Sequence, residues 1–162
     1  MTPRLDHVSV TVADLDRSIE FYRDVIGLPY LRRGEAAEPE LSTLVALEGV
    51  RLRWAELDLG GGRVLELLRY VSPTGTPLDL RVNRPGATHI GLAVDDLDGI
   101  HRRLEEANAT VSERPVVLTE PGEWRGVRTL YARDPDGVFI ELVEPPDRLV
   151  RLPDVEVETT ER

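Results

Sequence analysis

Residues 7–22 read HVSVTVADLDRSIEFY, and residues 89–104 read HIGLAVDDLDGIHRRL. Both stretches open with a histidine, alternate apolar residues, and pass through Asp-Leu-Asp into a run with helical spacing. In the first, Val8, Val10 and Val12 alternate with His7, Ser9 and Thr11, the period-two pattern of a half-buried strand. Asp14 or Asp16 can cap the helix that follows. Leu15, Ile19, Tyr22 and Ile26 then recur at helical spacing, and Gly27 ends the run. In the second stretch, Ile90, Leu92 and Val94 alternate with His89, Gly91 and Ala93. Leu97, Ile100, Leu104 and Ala107 form the stripe of its helix, and Asn108 lies near the helix end.

The repeat extends beyond these openings. GGRVLELL (Gly61–Leu68) matches DGVFIELV (Asp136–Val143), a turn leading into a strand with Glu at the same place. Between each opening and its closing strand lie weaker strand candidates, at 29–33 and 50–59 in the first unit and at 111–118 and 126–133 in the second. The pattern predicts an α+β fold. Two βαβββ modules, 4–70 and 87–144, are joined by linker 71–86 and make one domain over 1–146. Residues 147–162 read as an acidic, irregular tail.

Composition narrows the function. A chain of 162 residues with 41% hydrophobic residues suits one compact domain. Net charge is −10, whereas a nucleic-acid partner calls for a basic face. No apolar run approaches membrane-spanning length. The absence of cysteine removes disulfides, thiolate ligands and thiol nucleophiles, and fits a cytoplasmic location. A small-molecule partner is the expectation left.

Strand alternation explains the two histidines. If Val8/Val10/Val12 and Ile90/Leu92/Val94 face the helices, His7 and His89 point to the opposite face. On the closing strands Leu65/Leu67 and Ile140/Leu142 are the buried sets, so Glu66 and Glu141 stand beside the histidines. Two neutral imidazoles and two carboxylates on one concave surface suit a single divalent metal. A lone strand His is usually structural and an outward Glu usually solvated. The recurrence of the pair at equivalent positions is what favours the metal reading.

LDHVSVTVADLDRSIEFYRDVIGL and ARDPDGVFIELVEP resemble the vicinal oxygen chelate superfamily of glyoxalase I, methylmalonyl-CoA epimerase, extradiol dioxygenases and bleomycin-resistance proteins. The resemblance covers about residues 4–145. It implies paired βαβββ modules forming a curled mixed sheet with a metal-binding cleft, a homodimer, and one divalent ion per site (Zn, Ni, Co, Mn or Fe) held by His7, Glu66, His89 and Glu141. It also implies proton transfer next to a carbonyl, by an epimerase, isomerase or glyoxalase-type lyase, with Glu141 or Glu66 as the base. Dioxygenases of the family use two His and one Glu, which leaves Glu66 uncommitted, and its epimerases usually carry Gln there. Members acting on glutathione adducts usually have Arg four residues after the first ligand and Asn four after the second. Here those positions hold Thr11 and Tyr70. An Fe(II) extradiol-type dioxygenase and a drug-binding resistance protein are the alternatives.

Weaker candidates surround this set. Ala55, Leu57 and Leu59 read as helix-facing, which turns Trp54 and Glu56 toward the cleft as substrate-binding positions; Glu56 is also a candidate carboxylate off the metal. Tyr131 lies ten residues before Glu141, and Trp124 sits in the Gly-flanked loop TEPGEWRG; both are substrate-binding candidates. Arg51, Arg53, Arg125 and Arg128 are available to an anionic substrate, and His101, at the edge of its helix stripe, reads as structural.

Overall fold

A computed structural model describes residues 2–122 and 124–146, so the tail expected at 147–162 lies outside the described residues. The first module contains strand β1 (His7–Thr11), helix α1 (Leu15–Glu20), strand β2 (Tyr30–Ala36), helix α2 (Pro39–Val45), and strands β3 (Arg51–Gly60) and β4 (Arg63–Ser72). The second contains β5 (His89–Ala93), α3 (Leu97–Glu106), β6 (Val116–Val117), β7 (Arg128–Arg133) and β8 (Phe139–Glu144). Strand order is β1-β4-β3-β2 in one sheet and β5-β8-β7-β6 in the other. In each, the opening strand runs parallel to the closing strand and the rest is antiparallel. This is the repeated βαβββ plan. The two ladders stay separate among the described residues, so the mixed sheet is two four-stranded halves.

Local chemistry sets the element ends. Asp14, and not Asp16, caps α1: its carboxylate accepts from the N–H groups of Asp16 and Arg17, both at 3.1 Å. Asp96 does the same for α3 through the N–H of Gly99 at 2.8 Å. After Glu20 the helix widens into a π turn over Phe21–Ile26. That turn lets the adjacent rings of Phe21 and Tyr22 both enter the core, edge to face with centroids 5.3 Å apart. Gly27 ends it at φ +99°, a left-handed conformation that suits glycine. Helix α2 buries no residue, and its apolar set Leu41, Leu44 and Val45 spans barely one turn, too short a pattern to announce a helix. Strand β6 contracts to two residues, and Val111 makes only an isolated bridge to Ala132.

Both helices pack on the same side of their sheets and against each other. Leu15, Ile19 and Tyr22 share one core with Leu65, Leu67, Leu97, Leu104, Ile140 and Leu142. Polar ties cross between modules at this buried face. The Tyr22 hydroxyl donates to Asp134 at 3.0 Å, and Arg103 Nε donates to the carbonyl of Val25 at 2.8 Å. The N–H of Ala13 donates to Asp136 at 3.2 Å. Burying the helix-facing sets leaves the opposite face of each sheet open, and that face carries the histidines.

Candidate active site

The open face of the first sheet is organised by register. Ser9 on β1 and Glu56 on β3 both lie opposite Glu66 on β4, and Arg32 on β2 lies opposite Glu56. His7 sits two residues before Ser9 on the same face. Its Nε2 is 3.9 Å from the Glu66 carboxylate, while its Nδ1 is bonded to Asp6 at 2.8 Å. The Asp6 hydrogen bond raises the His7 pKa; slight burial lowers it, and the Glu66 charge raises it again. A carboxylate on one ring nitrogen aims the other, here toward Glu66.

The open face of the second sheet repeats the pair with different company. His89 Nε2 is 3.2 Å from the Glu141 carboxylate. Tyr131 on β7 lies opposite Glu141, and its hydroxyl donates to one carboxylate oxygen at 3.1 Å. The Thr129 hydroxyl donates to the other oxygen, also at 3.1 Å. Partial burial, then the bond to Glu141, push the Tyr131 phenol above its ordinary pKa, so it remains a donor. The Tyr131 ring also meets His89 edge-on at 5.6 Å.

The structure thus brings His7 to Glu66 and His89 to Glu141, as two separate pairs. It does not bring all four together within one chain: no group of three or more His, Cys, Asp or Glu is placed to hold a metal ion among the described residues. The modules join through their helix-facing residues, which share one core.

The remaining candidates separate. Ala55 and Leu57 are fully buried, and Trp54 and Glu56 stand on the open face as the alternation requires. Glu56 forms a two-point ion pair with Arg32, at 2.6 and 3.0 Å, which keeps its carboxylate oriented and occupied. Trp124 lies in the loop between β6 and β7 with its ring exposed. Arg128 is taken by Asp98 and Glu144, and Arg53 lies 3.5 Å from Glu35. His101 Nε2 meets the carbonyl of Ser112 at 3.1 Å, a structural tie between α3 and the following loop. Sequence reasoning passed over Thr129 and Arg32. Thr129 was readable, since it lies two residues from Tyr131 and shares its face. Arg32 was not, because a register shift between Tyr30 and Arg32 decides its partner.

Two tandem βαβββ modules with a His and a Glu on the open face of each define a protein of the glyoxalase fold. The chain belongs to the Glyoxalase/Bleomycin resistance protein/Dioxygenase superfamily, whose family model matches residues 4–142. It is 32% identical over 143 residues to a probable lactoylglutathione lyase of Vibrio cholerae, covering 87% of this chain and 90% of that protein. It is 31% identical over 144 residues to a 2-epi-5-epi-valiolone epimerase of an Actinomyces species, covering 86% and 78%. Among solved structures, a glyoxalase family protein from Bacillus cereus superposes with a TM-score of 0.77 at 26% identity, covering 90% of this chain and 95% of that one.

Proposed function

We propose that the protein is a divalent-metal-dependent enzyme that moves a proton next to a carbonyl, as an epimerase, isomerase or glyoxalase-type lyase. The observation that carries this is the duplicated His/Glu pair, one on each open sheet face. Lyases and an epimerase among its relatives support it. The donor set fits a divalent ion: each half-site offers an imidazole nitrogen and a carboxylate oxygen, already oriented by Asp6 in one and by Thr129 and Tyr131 in the other. A bound ion would supply Lewis-acid polarisation of the substrate carbonyl.

The half-sites combine across two chains. Strands β1 and β5 are edge strands, paired only with β4 and β8. Exposed edges are ready to meet another chain. In a twofold homodimer, His7 and Glu66 of one protomer face His89 and Glu141 of its partner. Within the site, Glu66 takes the proton and Glu141 stays in place. Thr129 and Tyr131 hold Glu141 through two hydroxyl donors, whereas Glu66 has no hydrogen-bond donor among the described residues and is 3.9 Å from His7. The dioxygenase alternative requires Glu66 to be dispensable.

Two measurements test this. Metal analysis of the His89→Ala variant after dialysis against a mild chelator should show occupancy largely lost; full retention overturns the ligand assignment. Mixing inactive His7→Ala and His89→Ala chains should restore activity to at most about a quarter of native, because each mixed twofold dimer regains one intact site. Recovery at zero, with each variant still dimeric and folded, would place the four ligands within one chain. Oxygen uptake with a catechol by the Fe(II)-loaded protein, undiminished by Glu66→Ala, would favour the dioxygenase.

A further inference from the structure

The strand row that holds His89 ends in a cation. On the open face of the second sheet, His89 on β5, Phe139 on β8 and Arg133 on β7 lie side by side, one row along from Gly91, Glu141 and Tyr131. The Arg133 guanidinium lies over the Phe139 ring, 4.0 Å from its centroid. Its Nη1 donates to two backbone carbonyls, that of Leu80 in the linker at 3.1 Å and that of Gly137 at 3.2 Å. Those bonds use both Nη1 hydrogens. The fork of Nε and Nη2 has no partner among the described residues, and no carboxylate there stands within ion-pair distance of it. Arg17, Arg23, Arg33 and Arg128 each have such a carboxylate. In Arg32 the same fork is filled: its Nε and Nη2 grip both oxygens of Glu56.

The first module lacks this cation. Asp58 stands in the row of His7 and Val64, the place that Arg133 holds in the second module. Its carboxylate turns back to accept from the N–H of Gly60 at 2.7 Å. The repeat therefore carries the His/Glu pair twice and the free fork once, which gives the assembled site a direction.

We propose that Arg133 is a specificity-determining residue that grips the carboxylate of a short oxo acid whose carbonyl meets the His89/Glu141 pair. The inference rests on the proton-transfer reading and names its substrate class. A guanidinium fork and a carboxylate match in plane and spacing, so their pairing sets orientation as well as affinity. Neighbouring strands lie about 4.8 Å apart, so a group over Phe139 is roughly 5–10 Å from the His89 side of the site. That reach fits a carboxylate a few bonds from the reacting carbon. The carboxylates of a glutathione adduct lie beyond a peptide bond, farther out. The rings of His89, Tyr131 and Phe139 meet edge-on along this face, and a less aqueous setting strengthens a charge-assisted bond. With a net charge of −10 the chain disfavours anions at a distance, so an anionic substrate needs a fixed cation beside the pair.

The test is calorimetric titration of the full chain, loaded with divalent metal and again with a chelator present. The titrants are 4-oxopentanoate and its methyl ester, which share the carbonyl and differ in charge. The acid should bind about ten- to a hundredfold tighter than the ester, the worth of hydrogen bonds to a charged group. Arg133→Gln should remove that preference and leave the ester's affinity unchanged. Arg133→Lys, which keeps the charge and loses the fork, should restore part of it. A Gln variant that weakens acid and ester equally would show only a structural tie to the linker and overturn the proposal. A native protein that binds both alike overturns it too. S-hexylglutathione is the third titrant: if Arg133→Gln costs it as much as the acid, the residue serves a peptide carboxylate and the short oxo acid is wrong. An acid preference that survives the chelator upholds this site even if the metal analysis fails, and full metal occupancy without that preference sinks this site alone.

Discussion

Glu141 and Glu66 stand at equivalent places in their modules, each beside a strand histidine, and each lies opposite a different residue on the neighbouring strand. Opposite Glu141 is Tyr131, which with Thr129 donates two hydroxyl hydrogen bonds to it. Opposite Glu66 is Glu56, another carboxylate, whose charge is met by Arg32 on the far side. Hydrogen bonds to a charged group are each worth about 1.5–3 kcal/mol, so displacing Glu141 means breaking two such bonds, and displacing Glu66 breaks none. The repeat gives each module the same His/Glu pair; the neighbours differ, and they leave one carboxylate held by two hydroxyls and the other by none among the described residues. The largest expected effect follows from this. Glu66→Gln should keep metal binding within a few-fold and lose turnover by roughly 10²–10⁴, the range for a general base. Glu141→Gln should instead be seen first as lost metal. Measuring both variants for bound metal and for solvent deuterium at the substrate carbon breaks the comparison if the two patterns are exchanged.

A smaller effect tests the hydroxyls themselves. Thr129→Val and Tyr131→Phe each remove one donor to Glu141 and leave a near-isosteric side chain. Partners that orient a ligand typically contribute about 10–100-fold in metal affinity, and each variant should fall near the low end. The double variant should lose more than either, since Glu141 then resembles Glu66. Competition against a colorimetric chelator reads this directly. Unchanged affinity in the double variant would mean that the two hydroxyls do not hold Glu141 in the assembled site.

The faces of the two His/Glu pairs were open to a reader of the sequence, and the docking of the two modules was not. Period-two alternation placed His7, Glu66, His89 and Glu141 on the open faces because burying Leu65, Leu67, Ile140 and Leu142 leaves them no other side. The same period would have placed Thr129 beside Tyr131. How two modules dock is not written in either period. It depends on the shape of a shared core, on the π turn that admits Phe21 and Tyr22 together, and on single ties such as Arg103 to Val25. Arg32 was hidden for a related reason: an irregular register displaces β2 against β3, and pairing then cannot be counted from residue numbers.

The turns before the closing strands give the last contrast and the smallest effect. In the first module Gly60, Gly61 and Gly62 form that turn; in the second it is Asp134–Pro135–Asp136–Gly137, and Asp134 reaches back to Tyr22 of the other module. Asp134 is 4% exposed and accepts from Tyr22 and from the N–H groups of Asp136 and Val138. Burial nevertheless dominates and raises its carboxyl above the ordinary 3.8, while the hydrogen bonds pull the other way. The Tyr22 phenol, pushed well above its ordinary 10 by burial and then by the Asp134 charge, stays protonated as the donor. A carboxyl raised in the folded state contributes stability that is fully present below its unfolded pKa and is lost as pH rises through the folded value. Asp134 should therefore weaken the fold as pH climbs above about 4. Asp134→Asn keeps an oxygen for the two N–H groups and an amide for Tyr22, but has no charge to bury. Urea unfolding from about pH 3 to pH 8 should show a flatter stability profile for the variant above pH 4, with the difference changing by about 1 kcal/mol across the range. A variant whose advantage appears instead as pH falls below 4 would show that the three donors outweigh burial, and that the tie between the modules is strongest with Asp134 ionised.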